Sequence, residues 1–287
     1  MANIRLIKRR IKSAQNIAQI TKAMELVAAS KMKKAQAAAL SGKLYAQKIY
    51  DMVMQLSHKV DLASHPLLRK PEKLSGRTLV IVASSNKGLC GGLNTSLFRF
   101  LLTQYVHMNT LSCISVGKKG TTFLVRSAAT LVADFSQTAS VSEHIPAITK
   151  LVIDAFTTGQ VDQVDLVYNE FLSVARQNPK RKTILPLSIE PSNSVGIKQP
   201  SDMLIEPNVQ EVFSQLLPHY MENQIRDALL QSEASEHSAR MLAMRNATDN
   251  ALSLMGDLTL LYNKARQEKI TYEITDMVTA RLAVKES

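Results

Sequence analysis

The sequence predicts an α/β protein: a long antiparallel coiled coil of N- and C-terminal helices flanks an inserted Rossmann-like domain with a mostly parallel sheet. Three observations predict it. Both ends of the chain are long, poor in glycine and proline, and striped with apolar residues. The middle alternates short β-branched runs with helical stretches. The 287 residues hold only 10 glycines, and aromatic residues make up 5%, which favours few turns and long helices. The expected division is an N-terminal coiled-coil helix at 1–59, a linker at 60–76, the α/β domain at 77–200 and a C-terminal coiled-coil helix at 201–287.

In the first segment the apolar positions are Ile4, Ile7, Ile11, Ala14, Ile17, Ile20, Met24 and Val27, spaced by threes and fours as one helical stripe. No proline and only Gly42 interrupt residues 3–57, and Ala, Lys, Gln, Leu and Met favour a helix of roughly 80 Å. Pro66, Pro71 and the Ser75-Gly76 pair then stop it.

The run Thr78 to Ala83 reads as a buried strand that feeds the turn Gly88-Leu89-Cys90-Gly91-Gly92 and a helix from about Leu93. A second unit has a strand at Leu111 to Val116 and the turn Gly117 to Gly120, again before a helix. Leu131 to Ala133 and Val164 to Tyr168 read as further strands, with a helix near Pro146 to Phe156 between them. Thr183 to Ile189 reads as an antiparallel edge, because Pro186 cannot donate to a ladder. After Pro200 and Pro207, a helix capped near Asn208 is expected to run to about Val284, some 110 Å. Its stripe is Met241, Met244, Ala251, Met255, Leu258, Tyr262 and Ala265, then Ile270, Ile274, Met277 and Leu282. Pro218 should kink or interrupt it near its start. Paired antiparallel, the C-terminal helix outruns its partner by ~20 residues, so about 30 Å of it projects with an apolar face that calls for a socket in another protein.

The charge is unevenly placed. Residues 1–59 hold 12 Lys and Arg against Glu25 and Asp51, a net of +10 out of +11 for the chain. Such a block suits nucleic acid, an anionic membrane face or an acidic protein. The absence of interleaved aromatic residues speaks against single-strand stacking. For the cluster Lys31, Lys33 and Lys34 an acidic partner and a solvated face are equally good readings. No stretch reaches the ~18 apolar residues of a membrane span. Cys90 and Cys113 are too few for a disulfide framework or zinc site, so a reducing compartment is expected.

Catalytic patterns are missing. The glycine turns have neither the Lys-Ser/Thr of a P-loop nor G-x-G-x-x-G spacing, so they read as structural turns. Cys90 has no assigned base and reads as a small buried thiol. Asp162 to Asp165 reads as the polar flank of a strand, and the methionines at 24, 32, 52, 54, 241, 244 and 255 as seam packing.

Three blocks carry a resemblance: Ile20-Thr21-Lys22-Ala23-Met24-Glu25-Leu26-Val27-Ala28-Ala29-Ser30-Lys31-Met32; Gly88-Leu89-Cys90-Gly91-Gly92-Leu93-Asn94; and Ser232-Glu233 through Arg240-Met241 and Ala247-Thr248-Asp249-Asn250 to Tyr262-Asn263-Lys264-Ala265-Arg266-Gln267. Together, in order and spacing over essentially the whole chain, they resemble the gamma subunit of the F-type ATP synthase, of bacterial type. The resemblance implies a central rotor shaft that transmits rotation, driven by transmembrane ion (proton) flow, to catalytic sites on the beta subunits, and that regulates ATPase activity. It implies partners in the alpha and beta subunits, the epsilon subunit and the c-subunit ring, no nucleic acid, and a peripheral place on the cytoplasmic side of the cell inner membrane or plasma membrane. Nucleotide and magnesium belong to alpha and beta, so the chain is expected to need no cofactor and to be non-catalytic by itself.

Carried over by position, Lys22 and Met24 match residues near the acidic beta-subunit loop that receives torque. Arg266, Gln267 and Thr271 match a polar catch that grips another beta-subunit loop. Ile274, Met277, Val278, Leu282 and Val284 match the part held in the apolar bearing of the head. The sequence departs from the family at Asn86-Lys87, where Asp-Arg is usual, at Pro218, and at Arg281 and the Lys285-Glu286-Ser287 tail. It lacks the chloroplast form's inserted cysteine pair, so redox gating is not implied.

Overall fold

The computed structural model describes residues 4–61, 65–69, 76–136, 141–187 and 205–285. The chain forms two compact units, one of residues 1–28 with 241–287, the other of residues 29–240. Two helices run through both: α1, Ile4–Ser57, and α5, Val209–Lys285, of 54 and 77 residues.

The larger unit is built on a five-stranded sheet. In chain order its elements are β1 (Thr78–Ala83), α2 (Leu93–Gln104), β2 (Ser112–Val116), α3 (Lys118–Arg126), β3 (Thr130–Asp134), α4 (Ile145–Thr157), β4 (Gln163–Phe171) and β5 (Gln177–Leu185). The strand order is β3-β2-β1-β4-β5. The first four strands are parallel, and β5 runs antiparallel to β4. The continuous apolar run of β1 follows from its central place, where both faces are covered. Its side chains alternate between two cores. Leu79, Ile81 and Ala83 join Ile114, Leu166, the α4 residues Ile145, Ile148 and Val152, and Phe213, Leu217 and Ile225 of α5. Val80 and Val82 join Cys113, Val167, Leu97 and Leu101 of α2, and Leu124 of α3. Edge strand β3 shows the alternation expected of a strand with one open face.

Several details differ from expectation. The edge strand starts six residues earlier than Thr183 and ends before Pro186, and the proline it carries is Pro179, opposite Asn169. Positions 188 and 189 of that expected edge lie outside the described residues. Gly120 belongs to α3 and not to the turn before it. Asp165 is no exposed flank: it is fully buried. It pairs with Arg181 at 3.0 Å and accepts hydrogen bonds from Tyr105 Oη (2.6 Å), Thr183 Oγ1 (2.8 Å) and Gln163 Nε2. Arg181 also lies over the Tyr105 ring. Burial, and then the neighbouring Asp165 carboxylate, push the Tyr105 hydroxyl well above its ordinary pKa.

Helix α5 begins as expected. Asn208 Oδ1 accepts the Glu211 backbone N–H at 2.8 Å, and the Glu211 side chain reaches back to Asn208, a reciprocal cap that satisfies a donor the helix cannot. Pro218 does not interrupt the helix, which is assigned continuously from Val209. It sits in the third turn, where Phe213, Leu217 and Met221 are fully buried on both sides of it, so tertiary packing holds the helix through the missing bond.

Candidate functional site: the helical shaft and the glycine turns

In the smaller unit the seam follows a 3.5-residue repeat. On α5 the inward positions are Met241, Met244, Thr248, Ala251, Met255, Leu258, Tyr262 and Ala265, all buried or half-buried, which is the expected stripe with Thr248 added. On α1 the expected stripe slips by one residue after Ala14. Ala18 is inward in place of Ile17, Thr21 in place of Ile20, Glu25 in place of Met24, and Ala28 in place of Val27. One residue turns a side chain by ~100° around a helix, so the four large side chains move out of the seam. Ile17, Ile20 and Val27 are 51%, 60% and 58% exposed, and Met24 is exposed with them.

The reason is geometric. A seam of Ala14, Ala18 and Ala28 lets two backbones approach more closely than Ile or Met would, and the space is closed by a hydrogen bond between Thr21 Oγ1 and Thr248 Oγ1 at 2.7 Å. Each hydroxyl also has a carbonyl of its own helix within reach, Met244 for Thr248 and Ile17 for Thr21, both at 2.9 Å, so either one donates across the seam while the other donates back to its helix. The signal was present: a strict alternation of threes and fours from Ile11 passes through Ala14, Ala18, Thr21, Glu25 and Ala28, whereas choosing the bulkiest residues breaks it. The seam reading of methionine holds for the buried Met32, Met54 and Met244 but fails for Met24 and Met52, which are exposed.

The expected torque contacts lie on the outside of this unit. Lys22 is exposed and paired with Glu25 at 3.0 Å, one turn away. Arg266, Gln267 and Thr271 are exposed on α5. The two groups are not brought together. Thr21 meets Thr248, and Arg266 lies 18 positions further along α5, about 27 Å by helical rise. Among the described side chains Ala265 is the last buried one of α5; from Arg266 to Arg281 every residue is exposed. Ile274, Met277 and Val278 are 53%, 70% and 52% exposed, beside Ile270 and Tyr272. Side chains of Leu282 and Val284 lie outside the described part, as do Glu286 and Ser287. Lys269 pairs with Glu273 at 3.3 Å, and Thr275 and Thr279 donate to carbonyls one turn back, which leaves the helix locally satisfied along this run.

Of the two glycine turns of the larger unit, the second serves close packing, whereas a Cβ on Gly88, Gly91 or Gly92 of the first would meet nothing. A Cβ on Gly117, whose φ is +110°, would lie 2.1 Å from the Ser84 carbonyl oxygen, and one on Gly120 would lie 2.7 Å from Ser84 Oγ. Only glycine lets the β2–α3 connection lie this close to the end of β1. At the start of α3 the donors that could cradle a phosphate are already used. Lys118 N–H goes to Asn86 Oδ1 (2.9 Å), Lys119 N–H to the Ser85 carbonyl (3.1 Å) and Gly120 N–H to Ser84 Oγ (2.7 Å). Asn86, which departs from the family's Asp, therefore caps α3. Cys90 is buried, with Asn94 Nδ2 donating to its sulfur at 3.3 Å and to Ser85 Oγ at 2.7 Å. Burial pushes the Cys113 thiol up to about 12. Among the described residues no cluster of His, Cys, Asp or Glu could hold a metal ion, and no helix is long and apolar enough to cross a membrane.

Sequence-missed contacts centre on α5 residues Ser232, Ser235, Ser238 and Arg240. Arg240 donates through Nε to the Gly88 carbonyl (3.2 Å) and through Nη2 to the Lys87 carbonyl (3.0 Å), so the glycine turn is held by the helix. Serines three apart on one face of a helix were the available signal.

Comparison with known proteins agrees with this geometry. The ATP synthase family model matches residues 3–284. The chain is 41% identical over 298 residues to the ATP synthase gamma chain of Opitutus terrae, with 99% of each covered. It is 40% identical over 296 residues to that of Dehalococcoides mccartyi, covering 99% of this chain and 100% of the relative. Among solved structures, a chain in the central stalk and c-ring of the Tetrahymena thermophila mitochondrial ATP synthase matches with a TM-score of 0.56 and 27% identity, over 79% of this chain and 99% of that one. A chain of the Euglena gracilis mitochondrial OSCP/F1/c-ring assembly shares the fold, with a TM-score of 0.64 at 21% identity over 98% of this chain and 94% of that one. Aligned from end to end with such relatives, the chain belongs to the gamma-subunit family of the F-type ATP synthases.

Proposed function

We propose that the chain is the central rotor shaft of an F-type ATP synthase. The observation that carries this reading is the run of α5 from Arg266 to Arg281, a single helix, apolar on one side and exposed along its whole length among the described residues. An isolated helix of that length is marginal in water, and its apolar side is covered at no cost in a socket supplied by other subunits. In this reading Ile274, Met277, Val278, Leu282 and Val284 turn in the bearing of the alpha and beta subunits. Arg266, Gln267 and Thr271 form the upper catch, and Lys22 and Met24 meet the acidic beta-subunit loops lower down. The α/β domain faces the epsilon subunit and the c-ring, and rotation driven by ion flow turns shaft and ring together.

The mechanism is differential contact. A shaft whose outward faces differ around its circumference favours a different conformation of each beta subunit at each angle, and rotation exchanges those conformations. Catalysis resides in alpha and beta, and this chain transmits and regulates without chemistry of its own. It sits peripherally, on the cytoplasmic side of the cell inner membrane or plasma membrane. The division into two helical segments, a linker and an α/β domain follows the same roles.

Replacing Arg266 and Gln267 with Ala in the reconstituted complex tests the reading. Coupled ATP synthesis is expected to fall about thirtyfold, as two polar contacts of about 1 kcal/mol each are lost. The purified chain alone is expected to hydrolyse no ATP. Unchanged synthesis removes the two residues from the torque path, and Mg-dependent ATPase activity of the isolated chain contradicts the assignment.

A further inference from the structure

In a doubly wound sheet the crevice between strands whose connections leave in opposite directions is where ligands bind. Here that crevice opens at the carboxyl ends of β1 and β4, between which the strand order reverses. It is filled by the chain's own α5. Ser235 Oγ donates to the Asn169 carbonyl of β4 at 3.0 Å, and Ser238 Oγ to the Val174 carbonyl in the β4–β5 hairpin at 2.8 Å. Ser232 Oγ makes a longer contact, 3.5 Å, to the Ala83 carbonyl that ends β1. Arg240 completes the row on Lys87 and Gly88, and its guanidinium is held in place by Glu236 at 2.7 Å. Ser235 and Ser238 are fully buried.

Every partner in this row, apart from Glu236 and the His237 ring beside Arg240, is a backbone carbonyl, and the carbonyls belong to four different segments: the end of β1, the glycine turn, the end of β4 and the hairpin beyond it. The apolar packing of Phe213, Leu217, Met221 and Ile225 lower on the same helix stabilises the contact but is non-directional, so by itself it resists rotation of the helix about its axis only weakly. Hydrogen bonds from these α5 side chains to five carbonyls in four segments weaken steeply when the donor angle changes, and so they define one rotational setting.

We propose that Ser232, Ser235, Ser238 and Arg240 are positioning residues for coupling: a clasp that fixes the rotational setting of α5 against the sheet, so that torque received by the sheet-bearing domain passes into the helix without slip. This rests on the shaft reading above. Loss of the clasp lets the helix turn against the sheet under load, which uncouples ion-driven rotation from the catalytic head while leaving the head's own ATP hydrolysis intact.

The test uses the assembled, membrane-reconstituted complex carrying the double substitution Ser235→Ala and Ser238→Ala, and separately Arg240→Lys, which keeps the charge but loses the two-carbonyl fork. ATP synthesis under an imposed ion gradient is expected to fall about fivefold for each donor removed, whereas gradient-free ATP hydrolysis per assembled complex stays within about twofold of the parent. The deficit is also expected to deepen as the opposing phosphorylation potential is raised, a load dependence that a purely structural role does not produce. If synthesis and hydrolysis fall in the same proportion in both variants, or if neither changes, the clasp is overturned. The shaft reading fails separately: it falls if the parent complex depleted of this chain still synthesises ATP.

Discussion

The sheet-bearing unit and the helical unit place their large apolar side chains in opposite ways. In the first, Leu79, Ile81, Ile114, Ile148 and Leu166 are closed off almost entirely from solvent. In the second the seam is made of Ala14, Ala18, Thr21 and Ala28 facing Met244, Thr248 and Ala251, and the larger residues Ile17, Ile20, Val27, Ile274 and Met277 are turned outward. One region buries its large apolar side chains internally and the other leaves them exposed. The polar groups follow the same contrast: Asp165 carries a buried network of four donors, while Lys22, Arg266 and Gln267 stand in solvent.

The contrast can be broken most strongly at Asp165. Its replacement by Ala leaves Arg181 facing a site built for its charge and removes the acceptor of Tyr105 and Thr183, so unfolding of the larger unit in urea is expected to become easier by about 3–5 kcal/mol. A loss below about 1 kcal/mol would show that the network is solvated in practice. Next in size is a matched pair of truncations. Ile81→Ala, in the closed core, is expected to cost about 2–5 kcal/mol of stability. Ile20→Ala, on the outward face, is expected to change the stability of the chain by no more than about 0.5 kcal/mol and instead to weaken recovery of the assembled complex. Reversal of the two outcomes would mean that the outward face packs within the chain. The smallest effect is expected at the seam, where Thr21→Val removes the bond to Thr248 and should cost about 1 kcal/mol in thermal unfolding of the coiled coil. If the variant is more stable, apolar contact at that level outweighs the hydrogen bond.

The same contrast explains what could be read from the residues alone. Central strands were legible because burial on both faces demands unbroken β-branched runs, as in Thr78–Ala83, and the Asn208 cap because few residue types satisfy a helix start. The α1 seam was not, because sequence patterning equates bulk with burial, and here small residues close the seam while Ile17, Ile20 and Val27 are exposed. Asp165 was misread for a related reason. Its partners Tyr105, Arg181 and Thr183 are 60, 16 and 18 positions away and meet only when α2 and β5 close around β4. The early start of β5 escaped because Asn178, Pro179 and Lys180 have low strand propensity, which pairing to β4 overrides at the sheet edge. Of the candidate contacts, the residues and the higher place of the catch were nameable through resemblance, but the spacing of about 27 Å between the two groups along the helix follows from Thr21 meeting Thr248.

The central claim is that this chain turns inside a fixed head. It is tested most directly by immobilising the catalytic head of the purified complex, attaching a bead to the α/β domain through a cysteine introduced at the exposed Lys119, and adding ATP. The account predicts continuous rotation of the bead in one direction, stopping when ATP is exhausted. A bead that stays still while the same preparation hydrolyses ATP would contradict it.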